Sequence, residues 1–213
     1  MTISSSSTIR KTAPPCPMTT STYCTGTGKA GCGLDIIAIQ TVGNHILAGT
    51  TLRLFVYEAK KGEPKYYYYE NNSSLNNIVP LDNDRVWLVA NNHIKSCRLL
   101  PGNQLSTTGT FRSSVVLGCG TRQANDVYAS CQAPYVIKYP FGTDHAERIA
   151  YHNTWYDAET QLTTLQNGSI LLFMKNMHLA LLSPATGKIT DLEVNGARIV
   201  MRSGCLRRSR SAI

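Results

Sequence analysis

The sequence predicts an all-β protein: an array of about four units, each a small four-stranded antiparallel sheet. Three observations lead there. The stretch 44–57, Asn-His-Ile-Leu-Ala-Gly-Thr-Thr-Leu-Arg-Leu-Phe-Val-Tyr, places a turn residue, a short apolar run and a small-residue kink before a second run. In that second run Leu52, Leu54 and Val56 alternate with Arg53, Phe55 and Tyr57, the period-two pattern of a strand with one buried face. The layout then recurs, marked by Asn44, Asn83, Asn125 and Asn167, which lie 39, 42 and 42 residues apart. Finally, long helical periodicity is absent. The passage Asp157 to Leu165 is the one place to consider a helical turn, and it reads better as a loop running into a strand.

Each marker Asn sits in a polar turn: Gly43-Asn44, Asp82-Asn83-Asp84, Asn125-Asp126 and Asn167-Gly168. Asn, Asp and Gly tolerate the left-handed backbone that tight hairpins demand. A first strand is expected before each turn, at 36–39, 78–81, 115–117 and 162–165. A second follows at 46–48, 86–89, 127–129 and 170–173, and a third at 52–57, 94–99, 135–139 and 179–182. Turns containing Gly62, Gly102, Gly142 and Gly187 then lead into a more polar fourth strand, at 65–69, 104–108, 147–151 and 188–194. The units are bounded at about 34–70, 75–109, 113–151 and 160–194.

A repeat of about 40 residues with four short strands is the blade of a β-propeller, whose first strand lines the central channel and whose fourth forms the outer rim. The units resemble divergent WD-type propeller repeats over roughly 34–194. Where typical members end the third strand in Trp-Asp, this chain has Tyr57-Glu58, Arg98-Leu99, Tyr139-Pro140 and Leu182-Ser183, and the Gly-His pair is missing. The phrase 43–50 with 54–57 is similar to blades of citron-homology domains and of the C-terminal propellers of Rho exchange factors and Roco kinases. That resemblance implies a regulatory or scaffolding domain. Four blades either close on themselves or form part of a larger ring, because an open row leaves the apolar faces of its end blades in water. Asn195-Gly196, between 192–194 and 197–201, is a hairpin signal that could begin a truncated fifth blade.

Outside the repeats, residues 1–33 are rich in Ser, Thr, Pro and Gly and are expected to be disordered. Residues 195–213 form a basic tail. The net charge is +8, yet residues 35–193 hold all thirteen acids and thirteen of the twenty-one Lys and Arg, so the repeat region is neutral and the flanks carry the excess. Nucleic-acid or anion binding is therefore expected only through those tails. No apolar run reaches membrane-spanning length, the N-terminus lacks the apolar core of a signal peptide, and a cytoplasmic location follows as the default. Seven cysteines (16, 24, 32, 97, 119, 131 and 205) include no Cys-x-x-Cys pair. Cys97, Cys119 and Cys131 fall in or beside strands, as reduced apolar residues.

The chemistry-bearing residues point to binding rather than catalysis. Gly26-Thr-Gly-Lys29-Ala-Gly31 lacks the spacing and the hydroxyl of a phosphate loop. Five histidines (45, 93, 145, 152 and 178) show no metal-ligand spacing, and Asp82 and Asp84 straddle a turn as turn formers rather than as an acid–base pair. No cofactor or metal is expected. The run Tyr66 to Tyr69 alternates faces of a strand, so Tyr66 and Tyr68 could anchor a protein partner. Trp87 reads as core, and Trp155, Tyr156 and Arg122 read as surface candidates. The candidate binding loops are 71–77, 118–123 and 151–156, and Ser211 follows Arg208 as a candidate phosphosite. The leading expectation is a non-catalytic protein-interaction propeller. The alternatives are a propeller enzyme with a polar channel and a tail-driven nucleic-acid binder.

Overall fold

The computed structural model describes residues 36–51, 53–58, 61–68, 73–154 and 156–193. Alternating side chains and Gly/Asn turns fold them into sixteen strands. The first sheet holds β1 (Ile36–Val42), β2 (His45–Thr50), β3 (Arg53–Glu58) and β4 (Lys61–Tyr68). The second holds β5 (Leu75–Pro80), β6 (Arg85–Ala90), β7 (His93–Leu100) and β8 (Gln104–Arg112). The third holds β9 (Leu117–Gln123), β10 (Asp126–Cys131), β11 (Tyr135–Pro140) and β12 (Glu147–Ala150), and the fourth β13 (Gln161–Thr164), β14 (Ile170–Phe173), β15 (Leu179–Ser183) and β16 (Lys188–Leu192). Within every sheet the strands follow chain order and pair antiparallel. These are the four repeated blades that the spacing predicts.

Three readings need correction. The first strand of the third blade is Leu117–Gln123, not 115–117, so the stretch 118–123 expected as a loop is the channel-side strand itself. Its Gly-Cys-Gly-Thr-Arg core shows no apolar alternation because it packs backbone against neighbouring blades instead of presenting large side chains. The loop expected at 71–77 likewise runs into β5, which begins at Leu75. The segment before β13 is a loop, as expected, and among the described residues a 3-10 turn forms at Lys175–Met177.

Consecutive blades stack face to face, with their first strands side by side: β1 beside β5, β5 beside β9, β9 beside β13. Three apolar seams result. Between blades one and two, Val42, Leu47, Leu54 and Val56 meet Ile78, Val86, Leu88 and Leu99. Trp87, Val89 and Ile94 of blade two meet Val127, Ile137 and Tyr139 of blade three. Tyr128, Val136 and Tyr151 of blade three meet Ile170, Leu172 and Leu182 of blade four. Trp87 is fully buried, as expected, and stands edge-on to Phe141 with ring centroids 5.5 Å apart. The four sheets form an arc and are not closed into a ring.

Polar contacts fix the register of the seams, on the channel side for the second and third and at the outer strands for the first. Asn76 Nδ2 donates to Leu117 O at 2.6 Å, and Asn77 Nδ2 to Gly120 O at 2.8 Å. One blade further, Cys119 Sγ donates to Thr160 O at 3.3 Å and accepts from Leu162 N at 3.2 Å. Tyr67 Oη ties blade one to blade two, donating to Asn103 O at 2.9 Å and accepting from Leu105 N at 2.8 Å. Each satisfies buried backbone groups that would otherwise be costly.

Gly118 tests the third seam. A Cβ there would lie 1.8 Å from Ala158 O and 2.3 Å from Ser130 Oγ. Gly118→Ala is expected to destabilise the fold by about 2 kcal/mol or more through overpacking, read by urea unfolding. A loss below about 0.5 kcal/mol contradicts this packing.

Candidate interaction surface

Two sets of connections emerge from the stacked sheets. One rim carries the turns between first and second strands and between third and fourth strands. The opposite rim carries the remaining connections, including the long loop 151–160 between blades three and four.

The first rim is built from charged side chains fixed by their own turns. The Asp82 carboxylate accepts from the backbone N–H of Asp84 at 3.2 Å and of Arg85 at 2.9 Å, the Asx-turn chemistry that suits a hairpin. Asp82 also takes the Arg85 guanidinium at 2.5 Å, and that guanidinium lies 5.3 Å from the Phe141 ring centre of the next blade. The Arg85 hydrogen bond holds the Asp82 carboxyl at about 2, well below its ordinary value. Arg98 pairs with Asp84 at 3.5 Å, both being about half exposed. Lys138 bridges Asp126 at 3.7 Å and Glu147 at 3.2 Å. Burial raises the Asp126 carboxyl in spite of that lysine.

The expected site residues separate. Arg122 belongs to this rim: its Nε donates to Ala124 O at 2.9 Å and its Nη1 to Leu81 O of blade two, which clamps two adjacent turns. Tyr66 lies on the outer face of blade one, 48% exposed, against Phe55 and under the Arg53 guanidinium at 5.4 Å. Tyr156 does not present its ring to a partner. It is buried in the third seam, edge-on to Tyr151 at 5.9 Å, and desolvation pushes its hydroxyl pKa up. The sequence marks 151–156 as a candidate binding loop, but the loop folds back under blade four, where Tyr151 Oη and Asn153 Nδ2 both reach Asp191. The Tyr68 side chain, Trp155 and Ser211 lie outside the described residues.

On the second rim Lys175 pairs with Asp157 at 2.5 Å and Glu159 at 3.5 Å, which pins the interblade loop to the 3-10 turn. Among the described residues no cluster of His, Cys, Asp and Glu could hold a metal ion. No helix among them is long and apolar enough to cross a membrane.

Four four-stranded sheets stacked about a common channel side, with turns at both rims, give the chain a β-propeller-like fold that is not closed into a ring. No family model matches the chain, and no curated protein matches its sequence. Solved structures do match. Virginiamycin B lyase of Staphylococcus aureus, crystallised as a catalytically inactive form with quinupristin, superposes with a TM-score of 0.62 at 12% identity, over 79% of this chain and 59% of that one. The chain thus spans less than two thirds of that lyase. The WD40 propeller domain of Doa1 matches with a TM-score of 0.55 at 13% identity, over 70% of this chain and 51% of that one. The C-terminal WD40 domain of Sif2 matches at 0.56 and 11%, over 76% and 47%. At these identities the likeness establishes the fold.

Two measurements check the site chemistry. A carboxyl depressed in the folded state stabilises above its unfolded pKa of about 4 and loses that contribution as pH falls toward its folded value. Acid titration of stability should therefore lose part of its slope between about pH 4 and pH 2 in Asp82→Asn, an unchanged slope being the contrary result. Burial raises the Cys97 and Cys131 thiols to about 11. Both should resist iodoacetamide at about pH 8 in the native chain and react after denaturation, as read by peptide mass mapping. Native-state labelling of either contradicts their burial.

Proposed function

We propose that this chain is a non-catalytic protein-interaction propeller, with the rim around Arg85, Arg98, Arg122 and Lys138 as its docking surface. The observation that carries the reading is the pairing of that rim's charges. Arg85, Arg98 and Lys138 each sit against Asp82, Asp84, Asp126 or Glu147, and Arg122 is tied to two backbone carbonyls. Side chains held in advance lose little conformational entropy on binding, and Arg is favoured at the energetic centre of interfaces. A nucleic-acid partner needs uncompensated positive potential to release counterions, whereas this rim alternates sign. It therefore suits a folded protein of mixed charge. The most displaced hydroxyls and thiols, Tyr156, Tyr151, Tyr128, Cys97 and Cys131, owe their shifts first to burial among packed sheets. That supports structural roles for them rather than acid–base work.

WD40 domains among the similar structures are compatible with an interaction or regulatory domain. The likeness of 43–50 with 54–57 to blades of citron-homology domains and of the C-terminal propellers of Rho exchange factors and Roco kinases supports a signalling or scaffolding role. A cytoplasmic setting belongs to the same proposal, since buried neutral thiols suit a reducing compartment.

The test is quantitative affinity capture with the 213-residue chain against an Asp84→Lys, Arg98→Glu double variant, which keeps the ion pair but reverses its direction. Retention of specific partners should fall about tenfold or more, with the unfolding midpoint unchanged. Equal retention by both proteins contradicts the assignment of this rim.

A further inference from the structure

The outer sheet faces of the two end blades are equivalent to faces that the interior of the arc shows to be seam surfaces. On blade one, directly paired residues form two rows across the sheet: Ile39, Ala48, Phe55 and Tyr66, then Thr41, Ile46 and Tyr57. The matching rows of blade two run Ile78, Leu88, Lys95 and Thr110, then Pro80, Val86 and Cys97. Of these, Ile78, Val86 and Cys97 are fully buried under blade one. Their counterparts Ile39 and Ile46 are 49% and 41% exposed, and Ile37 beside them is exposed as well. Blade one thus keeps, in the open, the apolar pattern with which blade two receives its neighbour.

Blade four shows the converse. Thr163, Leu171 and Leu181 form one row of its outer face, and Gln161, Phe173, Leu179 and Leu192 another; Leu192 is 40% exposed and Leu171 and Leu181 are half-buried, while Phe173 and Leu179 are 9% exposed. In blade three the equivalent positions are Thr121, Tyr128 and Lys138, with Cys119 and Val136 in the adjoining row. That is the face that grips blade four: Thr121 shares a hydrogen bond with Thr164 at 3.1 Å, and Tyr128 and Val136 are buried there. Blade four therefore presents a donor face with Thr163 where Thr121 stands, and blade one presents a receiving face.

We infer that two copies of this chain close a single ring, the outer face of blade four in each copy packing on the outer face of blade one in the other. Three arguments select a second copy. Both half-seams lie on one chain, so a two-fold arrangement satisfies all four at once, whereas a head-to-tail contact that does not close leaves edges. The arc covers 51% and 47% of two WD40 propeller chains, so a second equal arc supplies the other half. A four-strand face, with strands about 4.8 Å apart and about five residues of about 3.3 Å each, has a plan area of roughly 300 Å². Two such seams bury about 1,200 Å² in total, the range of a stable complex. This self-association uses the end faces and is independent of the charged rim.

The experiment is a mass measurement on the full 213-residue chain by sedimentation or light scattering, at low micromolar concentration and below. The expected species has twice the 23.4 kDa chain mass. Ile39→Lys on the receiving face and Leu181→Glu on the donor face should each weaken dimerisation at least a hundredfold, with circular dichroism unchanged. Leu192→Glu replaces Leu181→Glu should that variant lose its fold. Mixing the two monomeric variants should restore a dimer, since that pair retains one native seam. A monomeric wild-type chain, as when other residues of the chain cover these faces, overturns the inference. So do open polymers, variants that still dimerise, or a mixture that stays monomeric.

Discussion

Everything in this molecule depends on one constraint: a four-stranded sheet with two apolar faces must be covered on both. Each blade is too thin to have an interior of its own, so its core is the seam it shares with the next blade. Leu47, Leu54 and Val56 are buried only because blade two lies on them, and Ile170, Leu172 and Leu182 only because blade three does. Stability is thus a property of neighbours rather than of blades. The channel-side contacts give the seams their register. Asn76, Asn77, Cys119, Thr121 and Arg122 all reach across to the backbone or side chains of the adjacent blade.

The same constraint explains where binding surface is available. Strand faces are committed to seams, and the outer strands β8, β12 and β16 carry mostly half-exposed or exposed residues. What remains for other molecules is the turns. Short turns on rigid sheets can hold charges in fixed positions, as with Arg85 and Asp82 beneath Phe141. Loops on a rigid scaffold are where function concentrates.

Much of the architecture was legible in the residues because hairpin chemistry is local. Asn44, Asn83, Asn125 and Asn167 mark tight turns, and Val, Ile and Leu alternate beside them. Tyr67 turning inward and Tyr66 outward follows from strand alternation alone. The strand Leu117–Gln123 escaped because its role is close approach: Gly118 leaves no room for a side chain against Ala158, and Gly120 packs tightly on Val89. Period-two hydrophobicity cannot signal a strand whose neighbours demand hydrogen atoms. Tyr156 escaped for a related reason. Its burial is decided by how a ten-residue connection folds beneath a blade, a tertiary fact with no local signature. Arg122 reads from the sequence only as a surface candidate, because its clamp to Leu81 depends on a residue 41 positions away.

The central claim is that shared seams, tied at the channel side, hold the fold together. Native-state amide hydrogen exchange tests it most directly. Second and third strands flanked by seams on both sides, such as β6 and β10, should exchange slowest, by about a hundredfold or more relative to the outer strands β12 and β16. Protection that is equal across the four strands of a blade, or greatest in the outer ones, would contradict it.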